Sequence, residues 1–226
     1  MVACAAEDPA AEQSTHDIVG GSETEHYPAV VLLEGDSWCT GTVVAPRTVL
    51  TAAHCENARD HILIGHDVED RDAMIEIDID RFVPHPDYES DWRPHDIAYV
   101  ILAEEAPVKP ALVSVGIDTW LEGHALTFVG FGRDHVDGGS GRKRKARIEV
   151  TSVKDDFVMT GNTLRTWLFS GPQFCDGDSG GPGLFEWEGT DIVVSVNSGS
   201  NCRSYGRSVR VDVHEEFVAE GLRQGA

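Results

Sequence analysis

From residue 18 to the C-terminus, short runs of β-branched and other apolar residues alternate with residues that favour turns. Short runs bounded by glycine, proline, asparagine or aspartate are typical of strands rather than helices. Many such strands with turns between them indicate an all-β sandwich or barrel. The strands that we predict are residues 29–33, 41–44, 61–65, 75–83, 97–102, 125–130, 146–153, 183–185, 192–196 and 208–213.

The two ends of the chain depart from this pattern. Residues 1–17 are rich in alanine and acidic residues and lack apolar periodicity, so we expect a flexible leader there. Residues 212–224 instead have the spacing of a helix with one apolar face, and we predict a C-terminal helix. The apolar positions of that helix are Val213, Phe217, Val218 and Leu222.

Composition and charge narrow the class of protein. A length of 226 residues suits one all-β protein built from two packed halves. The chain has 39 acidic and 18 basic residues, a formal charge of −21. Such a surface repels a phosphate backbone, so we expect no nucleic-acid partner. The chain also lacks an apolar stretch of about 18 residues, so we expect no transmembrane segment.

Three short motifs carry candidate chemistry. Residues 177–182 read Gly-Asp-Ser-Gly-Gly-Pro, residues 51–55 read Thr-Ala-Ala-His-Cys, and Asp96 precedes the run Ile-Ala-Tyr-Val. A serine hydroxyl is a poor nucleophile at neutral pH unless a base takes its proton and a third group orients that base. Ser179, His54 and Asp96 could supply this set, in one of the chain orders that hydrolases use.

Each motif also has a purely structural interpretation. The glycine-rich motif could be a surface turn, the histidine could be structural, and Asp96 could simply begin a strand. Their occurrence together and in this order favours the catalytic interpretation. The glycines beside Ser179 also permit a tight turn, which could aim the N–H groups of Gly177 and Ser179 at a developing oxyanion.

Together with Ile-Val-Gly-Gly at residues 18–21, these motifs resemble the chymotrypsin/trypsin family of serine endopeptidases, in a bacterial-like zymogen form. The resemblance implies two six-stranded antiparallel β-barrels and a C-terminal helix, with the site in the cleft between the barrels. It divides the chain into a leader or activation peptide (1–17), an N-terminal barrel (18–110) and a C-terminal barrel with the terminal helix (111–226). In this family the serine attacks the scissile carbonyl, the histidine transfers its proton, and the aspartate orients the histidine.

The resemblance also implies a cysteine pairing. Cys39 would pair with Cys55, and Cys175 with Cys202, although four cysteines alone allow three connectivities. Disulfides imply an oxidising compartment, so we expect a secreted or periplasmic protein; free thiols in a cytosolic protein are the alternative. Cys4 is left over in a stretch resembling the lipid-bearing end of a bacterial lipoprotein leader, and we interpret it either as a lipid anchor or as an inert tail cysteine.

Substrate selection in the family rests on a pocket, and here the pattern departs. The base position is Gln173, followed by Phe174, so no carboxylate is available to pair with lysine or arginine. We align Ser195 to Asn197 with the family's Ser-Trp-Gly stretch, which makes Asn197 a replacement for glycine that, with Phe174, could narrow the pocket. Gly206 matches a third stretch, where glycine leaves room.

Activation in the family follows cleavage before the Ile-Val-Gly-Gly motif. The new N-terminus of Ile18 would fold inward and pair with Asp178, which precedes the nucleophile. The residue before the cut is Asp17, so we predict an Asp-directed activating protease, or self-cleavage if Arg203 or Arg207 lets the pocket accept aspartate. The alternative is that Asp17 is incidental.

Some residues have a plainer interpretation. The basic cluster at 142–147 follows a glycine-rich stretch, and we interpret it either as a solvated loop or as a site of self-cleavage. No His-Glu-x-x-His or paired Cys-x-x-Cys motif is present, so we predict no metal or other cofactor. We interpret the histidines other than His54, including His85 and His95, as surface or supporting residues.

The main prediction is therefore a monomeric serine endopeptidase that acts on protein or peptide substrates. The competing hypothesis is a catalytically silent pseudoprotease, a binding module on the same fold with a closed pocket, since fold alone does not imply function.

Overall fold

The computed structural model describes residues 18, 21–89, 94–114, 116, 119–133, 139–161 and 172–226. The predicted leader with Cys4 and Asp17 therefore lies outside the described residues. Within them the chain forms two β-barrels and one α-helix.

The first barrel closes from six antiparallel strands, which are β2 (Val30–Glu34), β3 (Trp38–Ala45), β4 (Thr48–Thr51), β5 (His61–Ile64), β6 (Ile75–Pro84) and β7 (Ala98–Leu102). Its interior is largely apolar. Every residue of β7, which reads Ala-Tyr-Val-Ile-Leu, is buried, and β2 and β4 are buried almost throughout. Around the barrel the strands pair in the order β2-β3-β4-β7-β6-β5.

The second barrel closes in the order β9-β10-β11-β14-β13-β12, and β12 pairs back with β9. Two short strands, β1 (Ser22–Glu23) and β8 (Leu112–Val113), extend this sheet by pairing with β10 and β13. The six barrel strands are β9 (Ala125–Gly130), β10 (Arg144–Val153), β11 (Phe157–Gly161), β12 (Pro182–Trp187), β13 (Thr190–Ser200) and β14 (Tyr205–Arg210).

The C-terminal segment crosses back to the first barrel. A 3₁₀ turn at Asp212–His214 leads into the helix α1 (Glu215–Gln224). In α1, Gly221 packs against the ring of Tyr99 and accepts a hydrogen bond from Thr48 Oγ1 at 2.8 Å. Among the described residues no helix has the length and apolar character needed to cross a membrane.

The two six-stranded antiparallel barrels and the terminal helix confirm the predicted fold class. The division of the chain near residue 110 stays a prediction; the first barrel's strands lie within residues 30–102, whereas Ser22–Glu23 belongs to the second sheet. Four strands that the pattern did not predict are Ser22–Glu23, Thr48–Thr51, Leu112–Val113 and Phe157–Gly161.

The basic cluster is not a solvated loop. Lys143 is only 2% exposed and Arg144 only 3%. Arg144 begins β10 and pairs in register with Glu23, whose carboxylate accepts a hydrogen bond from the Arg144 guanidinium at 3.1 Å. The Nζ of Lys143 donates to the carbonyl of Tyr27 at 3.1 Å. The cluster thus ties the start of the described chain to the second barrel.

Candidate active site

His54 and Asp96 meet at the edge of the first barrel. His54 lies in a 3₁₀ turn that follows β4, and Asp96 lies in the turn before β7, the strand paired with β4. The Nδ1 of His54 is 2.8 Å from Asp96 Oδ2, and the backbone N–H of His54 donates to Asp96 Oδ1 at 3.0 Å. An ionised carboxylate at this distance places the imidazole proton on Nδ1 and leaves Nε2 as the basic nitrogen.

Asp96 is fully buried, while the side chain of His54 remains 20% exposed. Burial alone would raise the pKa of Asp96, but hydrogen bonds from the His54 ring and from Ser198, together with the charge of His54, outweigh it and lower that pKa. Asp96 is therefore a carboxylate at neutral pH, able to orient and stabilise an imidazolium.

Ser198 was not predicted from the sequence. Its hydroxyl donates to Asp96 Oδ2 at 2.6 Å, and the guanidinium of Arg207 donates to Ser198 Oγ at 3.2 Å. The register between β13 and β14 shifts between Asn197 and Gly199, so Ser198 lies at a β-bulge. A bulge redirects a side chain relative to simple alternation, and here it directs Ser198 towards Asp96.

Ser195 and Asn197 lie deeper than their predicted pocket positions. Both are fully buried in the second barrel, and Ser195 Oγ has no hydrogen-bond partner among the described residues. The amide nitrogen of Asn197 donates to the carbonyl of Asp178 at 3.1 Å, and its oxygen accepts from Ser208. Asn197 therefore supports the nucleophile loop, and Ser198 rather than Ser195 contacts Asp96.

The nucleophile loop, residues 175–181, is folded around the carboxylate of Asp178. That carboxylate accepts the N–H of Gly132 at 2.8 Å and the N–H of Cys175 at 2.9 Å. Gly177 has φ +92°, a conformation that favours glycine. Within the described part of the chain, the N–H groups of Gly177 and Ser179 have no acceptor, whereas those of Asp178, Gly180 and Gly181 do.

The same loop packs against the first barrel. The carbonyl of Ser179 accepts the N–H of Thr40 at 2.8 Å, and Thr40 Oγ1 donates to the carbonyl of Gly177 at 2.8 Å. Cys55 Sγ lies 3.8 Å from the carbonyl oxygen of Ser179. Since Cys55 follows His54, these contacts place Ser179 beside the histidine turn.

No lysine or arginine of the described residues forms an ion pair with the Asp178 carboxylate. Burial raises its pKa to about 7, against the opposing effects of the two N–H donors and of the charge of Arg144. Ile18 is fully buried and packs in the core cluster of the second barrel, at φ +38°. The Ile18 nitrogen is still an amide here, so it carries no charge to offer Asp178.

The other residues predicted to line the pocket, and Arg207, are all buried. Gln173 is 1% exposed and its side-chain oxygen accepts the N–H of Phe174 at 3.2 Å. The Phe174 ring packs against Phe128, with centroids 5.1 Å apart, and against Gly206, where a β-carbon would lie 2.5 Å from the ring. Arg207 is buried, its guanidinium 4.3 Å from the centre of the Phe157 ring.

The predicted disulfides are present. Cys39 is bonded to Cys55 and Cys175 to Cys202. The first joins β3 to the histidine turn, and the second joins the nucleophile loop to the segment after β13. Both bridges therefore lie next to the candidate catalytic residues.

Two antiparallel six-stranded barrels, with a His–Asp pair from one and a serine loop from the other, define the chymotrypsin fold of serine endopeptidases. The family model described as Trypsin matches residues 18–218. The chain belongs to the trypsin family.

Relatives of this chain are serine proteases by name. Serine protease 56 of Mus musculus is 28% identical over 236 residues, which cover 92% of this chain and 39% of that protein. Trypsin of Saccharopolyspora erythraea is 26% identical over 232 residues, 92% of this chain and 100% of that protein. Brachyurin of Leptuca pugilator is 30% identical over 204 residues, 83% and 89% respectively. The chain thus spans less than half of the first of these and nearly all of the other two.

Proposed function

We propose that the protein cleaves peptide bonds through Ser179, His54 and Asp96. The observation that carries this proposal is the pair of hydrogen bonds between His54 and the buried Asp96, beside a serine loop in which the N–H groups of Gly177 and Ser179 have no acceptor among the described residues. A nucleophile, a base oriented by a carboxylate, and free N–H donors are the three parts that acyl transfer needs.

In this mechanism the Ser179 hydroxyl attacks the carbonyl carbon as His54 Nε2 accepts its proton. The negative charge that develops on the carbonyl oxygen is stabilised by the N–H groups of Gly177 and Ser179. Removal of one such donor typically costs about 100- to 1,000-fold in rate. His54 then protonates the leaving amine, and water hydrolyses the acyl-enzyme by the same proton transfers in reverse roles.

For substrate selection, we propose that cleavage after lysine or arginine does not dominate. This is supported by the neutral Gln173 at the predicted pocket base, since a buried cation without a partner is costly. The guanidinium of Arg207 contacts Ser198 and the Phe157 ring, and Arg203 is exposed, so neither arginine supports a pocket that selects aspartate. Small or polar side chains before the cut are the better fit beside Phe174.

We further propose that the protein is a zymogen activated by cleavage after Asp17. Support comes from the buried carboxyl of Asp178: burial raises its pKa to about 7, and a nearby cation would favour the ionised form. Ile18 already packs in the second barrel, so a new ammonium group there would form close to the loop. An Asp-directed protease remains the activator that we propose. The two disulfides support an oxidising compartment, secreted or periplasmic.

The test uses chain cleaved after Asp17 and reacted with a fluorophosphonate probe. We expect labelling at Ser179 and hydrolysis of a peptide library, with both lost in the Ser179→Ala variant. The matched control is Ser204→Ala, an exposed serine outside the site, which should label fully. A correctly folded, cleaved protein that never labels would instead support the pseudoprotease hypothesis.

A further inference from the structure

Three histidine rings outside the proposed triad pack against one another. His85 and His95 are stacked with centroids 4.9 Å apart, and His214 lies edge-on to both, at 4.9 and 5.3 Å. They come from three separate segments: the end of β6, the turn before β7, and the 3₁₀ turn before α1. One ring nitrogen from each lies within 4.8 Å of the other two.

Asp156 holds two of these residues in place. Its Oδ1 is 2.7 Å from His214 Nε2, and its Oδ2 accepts the backbone N–H of His95 at 3.0 Å. A carboxylate on the outer nitrogen of a histidine is the usual support of a metal-binding imidazole, because it fixes the tautomer and the ring orientation. With Nε2 engaged by Asp156, Nδ1 is the nitrogen of His214 available to a metal ion.

The other two rings also have a nitrogen to offer. Nδ1 of His95 is buried and has no hydrogen-bond partner in the described part of the chain. A buried imidazole nitrogen left in this state is costly unless something else binds it. His85 Nδ1 accepts the N–H of Asp87 at 3.2 Å, which leaves Nε2 of that ring.

We propose that His85, His95 and His214 form a binding site for a divalent transition-metal ion, with Zn²⁺ the best match. Three imidazole nitrogens suit zinc, copper or nickel rather than calcium or magnesium, which prefer oxygen ligands. A water molecule would complete a tetrahedron, with Zn–N distances of about 2.0–2.1 Å. The ring nitrogens are up to 4.8 Å apart and the His85 and His95 rings are nearly parallel, so on binding the rings have to move inward and at least one of these two has to rotate to direct its lone pair at the ion.

The site is independent of the proposed protease chemistry but lies next to it. His95 immediately precedes Asp96 and has φ +67°, a conformation that few non-glycine residues adopt. Its carbonyl accepts the N–H of Ile97 at 2.7 Å, so the turn that presents Asp96 is built on His95. A metal ion on His95 would therefore constrain the turn that presents Asp96.

The test measures metal binding rather than protease activity. The protein is the full chain carrying Ser179→Ala, to prevent self-cleavage, and Cys4→Ser, to remove a competing thiol. Zn²⁺ is titrated against a chromophoric chelator, and Co²⁺ is used as a spectroscopic probe of tetrahedral nitrogen coordination. We expect one ion per chain and a rise in Tm with Zn²⁺.

Variants decide which residues bind the ion. His85→Asn and His95→Asn should each weaken binding at least tenfold, and Asp156→Asn by about 10- to 100-fold. His66→Asn, a half-exposed histidine outside the cluster, and His54→Gln should leave binding unchanged. His214→Asn is a weaker test, because that ring is nearly buried and the variant could misfold.

Two results would overturn the proposal. One is the absence of stoichiometric binding in the folded parent protein, which would make the cluster a packing contact only. The other is binding that survives the double variant His85→Asn/His95→Asn or is lost with His54→Gln, which would place the ion elsewhere.

Discussion

At the residue scale, the hydrogen bond from Ser198 to Asp96 is the feature of the candidate site that the sequence analysis did not predict. Ser195, Ser198 and Ser200 all lie on β13, and alternation from Ser195 does not lead to Ser198 because of the bulge between Asn197 and Gly199. Bulges depend on the pairing partner as well as on local sequence. His54, Asp96 and Ser179 could be chosen from short motifs, whereas Ser198 required the fold.

Ser198→Ala should lower kcat by about tenfold or more and change KM little. The reason is that the variant removes one hydrogen bond to a buried carboxylate, and such bonds are worth roughly 1.5–3 kcal/mol. The measurement is steady-state kinetics of the cleaved protein on a peptide substrate.

The matched control for this prediction is Ser195→Ala on the same strand. Its hydroxyl is buried without a partner among the described residues, so its removal should leave kcat unchanged and stability unchanged or raised. The reverse outcome, with activity lost in Ser195→Ala and kept in Ser198→Ala, would restore the original pocket alignment.

The carboxyl of Asp178 predicts a pH dependence of the uncut chain. Its pKa in the folded state is about 7, above the value near 4 of an unfolded aspartate. The folded state therefore binds more protons across this window, and the free energy of unfolding falls as pH rises from about 4 to 7, by at most about 4 kcal/mol from this group.

Denaturant unfolding of Ser179→Ala at several pH values, with and without Asp178→Asn, measures this effect. The difference between the two proteins should change steadily across pH 4 to 7. After cleavage between Asp17 and Ile18, a nearby ammonium should reduce or reverse it. A difference independent of pH would mean that Asp178 is already ionised in the uncut chain.

At the element scale, simple periodicity predicted most strands and failed in identifiable places. Ala125–Gly130 matches its predicted bounds, because an apolar run there is bounded by clear turn residues. Thr48–Thr51 was missed because the strand is only four residues long and lacks an apolar–polar alternation. Arg144 is in phase with Ala146, Ile148 and Val150, which face inward on β10, so alternation did contain the signal that this arginine is buried.

The docking of the nucleophile loop on the first barrel requires glycine at position 180. A β-carbon there would lie 2.1 Å from Thr51 Oγ1 and 2.3 Å from the carbonyl of Thr40, and φ is +80°. Gly180→Ala should therefore displace the loop from the histidine turn and abolish activity. Fluorophosphonate labelling and thermal unfolding report the two effects.

The Gly189→Ala variant is the matched control for Gly180→Ala, because it introduces backbone strain without a steric clash. Gly189 has φ +76°, but a β-carbon added there would meet no atom of the described residues within 4 Å, so alanine should cost only about 1–2 kcal/mol and spare activity. Equal stability losses in the two variants, with labelling retained in Gly180→Ala, would show that the close contact between loop and barrel does not matter.

At the scale of the whole molecule, each barrel carries one disulfide next to its candidate catalytic residues. Cys39–Cys55 spans 16 residues and Cys175–Cys202 spans 27. In the chain-entropy model each contributes roughly 3–4 kcal/mol to the free energy of unfolding.

Replacement of either pair by alanine should lower the free energy of unfolding by a similar amount and raise m, because the unfolded chain is then less constrained. Cys4→Ser, outside the described residues, should leave the midpoint unchanged. If either pair could be removed with a loss below about 1 kcal/mol, the bridges would have little structural role, and the argument for an oxidising compartment would weaken.

The pairing of Ser22–Glu23 with Arg144–Lys145 has a consequence for biosynthesis. The earliest described strand leaves the ribosome first, but its partner emerges only after the whole first barrel has been made. Since domains generally fold as units during synthesis, the first barrel can close while this strand is still unpaired. The nascent protein would then expose an unpaired strand at Ser22–Glu23 until β10 arrives, so this segment is open to wrong pairing for longer than any strand of the first barrel.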